Sequence, residues 1–142
     1  MIRGALLASL TLASCGDLSR DSQGILQPQT VRGPCEVKKF YLLRTQRVRA
    51  ELVTGNSGEA CTFTLLDRNL QAVLSAALVT LPPRHGRADA GLITAGRQAA
   101  VSYAPQPGYV GPDRFDFVLE PNAFGVDVFV TVQAGSPVAK VE

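Results

Sequence analysis

Residues 115–132 read F-D-F-V-L-E-P-N-A-F-G-V-D-V-F-V-T-V. In an extended chain Phe115, Phe117 and Leu119 share one face, opposed by Asp116 and Val118. Val126, Val128, Val130 and Val132 share a face against Asp127, Phe129 and Thr131. A period of two belongs to half-buried antiparallel strands. Pro121-Asn122-Ala123-Phe124-Gly125 reads as the hairpin loop between them. These two strands set the expectation of an all-β fold.

The same period recurs towards the N-terminus. Val48, Ala50 and Leu52 point one way while Arg47, Arg49 and Glu51 point the other. Thr54-Gly55-Asn56-Ser57-Gly58 is a turn cluster. Beyond it Cys61, Phe63 and Leu65 alternate with Thr62 and Thr64. Leu70–Thr80 is ambiguous, because Leu70, Val73, Leu74, Ala77 and Leu78 also fit a helical stripe. Pro82-Pro83 close behind, and strands on either side, favour strand. The chain has 142 residues, 46% of them hydrophobic, with 13 glycines and 9 prolines spread along it. That is one domain with a core, and about seven or eight short strands with turns roughly every ten residues, the pattern of a sandwich.

A more specific signal precedes Phe115. Tyr103-Ala104-Pro105-Gln106-Pro107-Gly108-Tyr109-Val110-Gly111-Pro112-Asp113-Arg114-Phe115 follows the pattern Y-x-P-x-x-G-[FY]-x-G-x-D-x-F. Upstream stands Pro83-Arg84-His85-Gly86. Together these resemble the signature of bacterial immunoglobulin-like and cadherin-like repeats. The resemblance implies an immunoglobulin-like antiparallel β-sandwich, with His85, Gly86, Tyr103, Pro105, Gly108, Tyr109, Gly111, Asp113 and Phe115 as a structural motif. The residues suit a rigid corner on physical grounds. The prolines forbid ladder bonds, Gly108 and Gly111 allow positive φ, and Asp113 can accept hydrogen bonds from loop amides. Family members stand in tandem arrays, whereas this sequence holds a single copy, so an adhesive fibre is not implied.

The N-terminus has its own pattern. Met1-Ile2-Arg3 is a short positive region, and Gly4–Ala13 is apolar apart from small hydroxyl residues. The run is about half of the roughly 20 residues a spanning helix needs, and it suits a signal-peptide core. Leu12-Ala13-Ser14-Cys15 resembles the lipobox of bacterial lipoproteins. That resemblance implies cleavage after Ser14, a diacylglyceryl thioether on Cys15 and a membrane anchor. Asp17 stands one place beyond the residue following the cysteine, which points to the outer membrane, facing the periplasm. The expected division is residues 1–14 signal peptide, 15–34 lipidated N-terminus and flexible tether, 35–134 sandwich, and 135–142 tail. As a coil the tether averages about 24 Å.

Export bears on the cysteines. With Cys15 lipidated, Cys35 and Cys61 remain, an even pair in an oxidising compartment. A bridge between them would stabilise the fold by about 3 kcal/mol on the loop-entropy argument.

Fourteen basic residues against twelve acidic give a net charge of +2, with no general case for nucleic acid. Lys38, Lys39, Arg44, Arg47 and Arg49 form one basic cluster, opposed locally by Glu36 and Glu51. It is a candidate contact for anionic envelope material or a charge-guarded strand edge. Gly55-Asn56-Ser57-Gly58-Glu59 has Glu where a nucleophile elbow needs Gly. His85 is the only histidine, which excludes a zinc site built on several histidines. Asp113, Asp116 and Asp127 form no run of calcium-ligating spacing. The expectation is therefore no catalytic residues, no metal, no cofactor and no small-molecule substrate. The chain reads as a non-enzymatic envelope lipoprotein with a protein partner or a structural role at the cell surface. The alternative is a small module binding glycan or another envelope polymer. Tyr41, Tyr109, Phe124 and Phe129 are the aromatics available to that alternative.

Overall fold

The computed structural model describes residues 26–42, 46–67, 73–135 and 140–141. Among the described residues ten strands run in chain order: β1 (Leu26–Arg32), β2 (Cys35–Val37), β3 (Arg47–Gly55), β4 (Cys61–Asp67), β5 (Ala76–Leu81), β6 (Gly86–Ile93), β7 (Gln98–Pro105), β8 (Gly111–Glu120), β9 (Phe124–Gln133) and β10 (Lys140–Val141). They form two sheets, one ordered β1-β4-β7-β6 and the other β10-β2-β3-β9-β8-β5. The first matches the A-B-E-D sheet of an immunoglobulin-type sandwich. In the second, β9-β8-β5 matches its G-F-C sheet, with β3 added beside β9. The chain is an all-β sandwich of immunoglobulin-like order.

The alternation read from the sequence builds the core. Along β9 every second residue from Phe124 to Val132 is buried, and β8 contributes Phe115, Phe117 and Leu119 at 0% exposure. Ala50 and Leu52 of β3 and Cys61, Phe63 and Leu65 of β4 complete the layer between the sheets. The phenylalanines pack edge-on and tilted, with Phe63 6.2 Å from Phe40 and 6.3 Å from Phe117 between ring centres. Each large apolar side chain so buried contributes about 1.5–3 kcal/mol. A disulfide joins Cys35 on β2 to Cys61 on β4, with Cα atoms 5.7 Å apart, and so staples one sheet to the other.

Several expectations change. β1 lies inside the stretch read as tether, and the described strands begin at Leu26 rather than residue 35. β1 pairs antiparallel with β4 and buries Gln27 and Pro28, residue types that carry no apolar period. β10 lies inside the stretch read as tail. The described residues hold ten strands where about seven or eight were expected, the short β2 and β10 showing no period of their own. The sheets are not wholly antiparallel either: β3 runs parallel to β9, and β10 to β2. Within Leu70–Thr80, β5 is strand from Ala76, and residues 68–72 lie outside the described residues. A helical stripe would bury Val73 and Leu78, yet they are 60% and 53% exposed.

Candidate functional site

Two surfaces gather the residues singled out in the sequence. At one end of the sandwich the corner motif closes on Asp113. Its carboxylate accepts from the Arg84 and His85 amides at 3.0 Å each, from the Arg114 amide at 2.9 Å and from the Tyr103 hydroxyl at 2.8 Å. The P-x-H-G turn and the Tyr103–Phe115 segment are therefore one unit held by a buried carboxylate. Hydrogen bonds to an ionised acceptor are the stronger kind. Burial, and next the bond to Asp113, push the Tyr103 phenol well above the usual tyrosine range.

Other contacts lock the same corner. The Tyr103 ring stacks on Phe115 at 5.8 Å, and His85 stacks on Tyr109 at 4.1 Å. Tyr109 donates to the Pro112 carbonyl at 2.6 Å, and the Gln106 amide donates to the His85 carbonyl at 2.9 Å. Pro105 ends β7 buried, and Gly108 has φ +84° in the loop that follows. Gly111 has φ +144°, and a Cβ there would meet the Tyr109 hydroxyl at 2.9 Å. At Gly86 a Cβ would meet the Ala104 carbonyl oxygen at 2.4 Å, so only glycine lets the two strands approach there. With its lone pairs facing protein donors, Asp113 is poorly placed to bind a ligand.

The second surface is the outward face of β3, β9 and β8. In register Arg49 lies opposite Asp127, Arg114 opposite Phe129, and Asp116 opposite Asp127. Phe129 is held between two guanidinium groups, with Arg49 3.9 Å and Arg114 5.1 Å from its ring centre. Behind it Arg114 makes paired bonds of 3.0 Å to both Asp116 oxygens, and Arg47 pairs with Asp127. The bond to Asp127 raises the Arg47 pKa, and the bond to Asp116 raises that of Arg114. Lys38 bonds to Glu51 and holds its carboxyl below the usual glutamate range.

This arrangement alters the reading of the basic cluster. Lys38, Arg47 and Arg49 all face carboxylates, Lys38 and Arg49 that of Glu51 and Arg47 that of Asp127 on β9, far away in sequence. Lys39 lies 5.4 Å from the ring centre of exposed Tyr41. Arg44 lies outside the described residues, as does Cys15. Within the cluster Lys38, Arg47 and Arg49 are therefore paired with Glu51, Asp116 and Asp127 rather than presented as a bare positive patch. Phe124, offered as an exposed aromatic, is fully buried in the core. Tyr109 is half-buried under His85.

Arg114 is not singled out by the sequence, and Asp116 and Asp127 are weighed there only as calcium ligands. The signal was present in the hairpin, since residues 114 and 116 alternate outward on β8 as 127 and 129 do on β9. The outer face of the four-stranded sheet carries an open groove of about 560 Å³, lined by Thr62, Thr64, Gln98, Thr30 and Arg32 among others. Among the described residues no group of three or more His, Cys, Asp or Glu is placed to hold a metal ion. No protein-family model matches this chain, and no curated protein sequence matches it.

Proposed function

We propose that this chain is a lipid-anchored envelope protein whose sandwich presents the β3-β9-β8 face to a protein partner. The anchor rests on the sequence around Cys15. The observation that carries the partner is Phe129 held between Arg49 and Arg114 on an exposed sheet face. Aromatic and arginine side chains dominate the energetic centres of protein interfaces. Here Arg114 is already fixed by Asp116 and Arg49 is paired with Glu51, so less side-chain entropy is lost on docking.

A photo-reactive residue placed at 129 in intact cells tests this reading, with the same residue at Thr64 on the other sheet as control. A discrete protein adduct from 129 and not from Thr64 is expected. Equal adducts from both positions, or none from 129, would overturn it. The groove beside Thr64 supports a second reading, because hydroxyl and amide groups line it and suit the hydroxyls of a glycan. A carbohydrate adduct from the Thr64 position alone would favour that alternative.

A further inference from the structure

One end of the sandwich has a composition of its own. β1 starts there at Leu26, opposite Asp67, the last residue of β4. Across the same sheet Leu66 pairs with Gln98, and Gln98 with Ile93, which ends β6. The other sheet meets this end through two backbone bonds of 2.8 Å. The Leu74 amide donates to the Gly96 carbonyl, just beyond β6, and the Ser75 amide donates to that of Glu120, which ends β8. Arg47 starts β3 opposite Gly125 on β9, at the same end. The connections here cover residues 38–46, 68–75, 94–97 and 121–123.

By sequence those connections hold Lys38, Lys39, Arg44, Arg68 and Arg97 and no aspartate or glutamate. Asp67 and Glu120 are the acidic residues among the strand ends that adjoin them. The connections at the opposite end hold one Arg84 and one Glu59, so the basic excess belongs to one end alone. Exposed apolar side chains gather at the same end. Tyr41, Val73 and Ile93 are 45%, 60% and 39% exposed, and Val73 lies beside Gly96. Lys39 stands over the Tyr41 ring. Apolar and aromatic side chains set among basic residues suit the boundary between water and lipid.

We propose that this end docks on the lipid bilayer, with Tyr41, Val73, Ile93 and Lys39 set among anionic headgroups. The proposal rests on the reading of Cys15 as a lipid anchor. Chain length then argues for a bilayer as the occupant. Leu26 lies only eleven positions beyond Cys15, a reach of at most about 40 Å, and it enters the sandwich at this end. An anchor so near makes the docking intramolecular, so contacts too weak to hold a free protein suffice. Charge argues for anionic headgroups, which attract basic residues close to the membrane surface. A tyrosine ring sits at headgroup level with its hydroxyl in water. Docked in this way, the sandwich turns its Asp113 corner, at the far end of the strands, away from the bilayer. Phe129, midway along β9, stands at the side and open to a partner.

Fluorescence quenching by nitroxide-labelled lipid tests the proposal. The lipidated mature protein is reconstituted in vesicles of phosphatidylethanolamine and phosphatidylglycerol, with a fluorescent residue placed singly at 73, 93 or 110. Val110 is exposed and apolar but lies at the opposite end, between β7 and β8, and serves as control. Quenching is expected at 73 and 93 and not at 110, and should weaken in vesicles of phosphatidylcholine alone. Val73→Glu should remove the quenching at 93 and keep the melting temperature near that of the wild type, because the side chain is exposed. Equal quenching at all three positions, none at 73 and 93, or no dependence on the anionic lipid would overturn the proposal. Acylated protein without quenching at 73 and 93 keeps the anchor and removes the docking. A mature chain without acyl groups removes both.

Discussion

The Tyr103 hydroxyl donates to Asp113 Oδ2 across 2.8 Å of buried space, joining β7 to the first residues of β8. The same oxygen accepts from the His85 amide at 3.0 Å. Three segments distant in sequence are thus held by one carboxylate, which makes the corner a structural joint.

Removing that carboxylate should be costly. Asp113→Ala leaves the buried Tyr103 hydroxyl and the part-buried Arg84 and His85 amides without their acceptor, at about 1–3 kcal/mol for such a loss. Phe115→Ala empties a fully buried site and should cost about 3–5 kcal/mol. Denaturant unfolding of both variants beside the wild type measures these costs. If both unfold like wild type while partner binding is lost, the corner is a recognition site instead of a joint.

The Tyr103 phenol predicts an alkaline loss of stability. Its pKa is higher in the folded chain than the value near 10 of an unfolded tyrosine. Its contribution is therefore complete below about pH 10. Above that the unfolded state releases its proton first, and stability falls with a slope of up to about 1.4 kcal/mol per pH unit. Tyr103→Phe should be less stable at neutral pH, and the difference from wild type should shrink between pH 10 and 11. A difference that stays constant across that range would count against this assignment.

Loss of the Cys35–Cys61 bridge should lower stability by about 3 kcal/mol. Urea unfolding with and without reductant reads the effect. Intact-mass measurement of protein from its native compartment should find two hydrogens fewer than the reduced chain, and two alkylatable thiols there would contradict the bridge.

A fatty-acid analogue fed to cells should label the wild type through Cys15 and leave Cys15→Ser unlabelled. The mature N-terminus should begin at Cys15. Equal labelling of both proteins, or a mature chain beginning elsewhere, would remove the anchor from the proposed function.

The basic cluster should respond unevenly to charge reversal. Lys39→Glu alters an exposed side chain that lies over the exposed Tyr41 ring and should leave unfolding unchanged. Arg47→Glu puts a third carboxylate beside Asp116 and Asp127, and should destabilise the fold by about 1 kcal/mol at low salt and less at high salt. Thermal melts at two ionic strengths separate the two. Equal effects would mean that the Arg47 pairing is not maintained in solution.

The sequence by itself determined the long strands and their inward faces. Alternation along 115–119 and 126–132 is local, because successive side chains of an extended chain point to opposite sides. It also determined the corner, since proline, glycine and aspartate act on backbone a few residues away. Only the tertiary structure decided the rest. β1 becomes a strand because β4 offers it an edge, although Gln27 and Pro28 give no local signal. β3 joins β9 in parallel, a pairing between residues nearly eighty positions apart that no local pattern encodes. That pairing, with β8 beside it, brings Asp127 and Asp116 to Arg47 and turns an apparent basic patch into a balanced network around Phe129. Charge along a sequence counts residues. Charge on a surface depends on which strands the fold sets side by side.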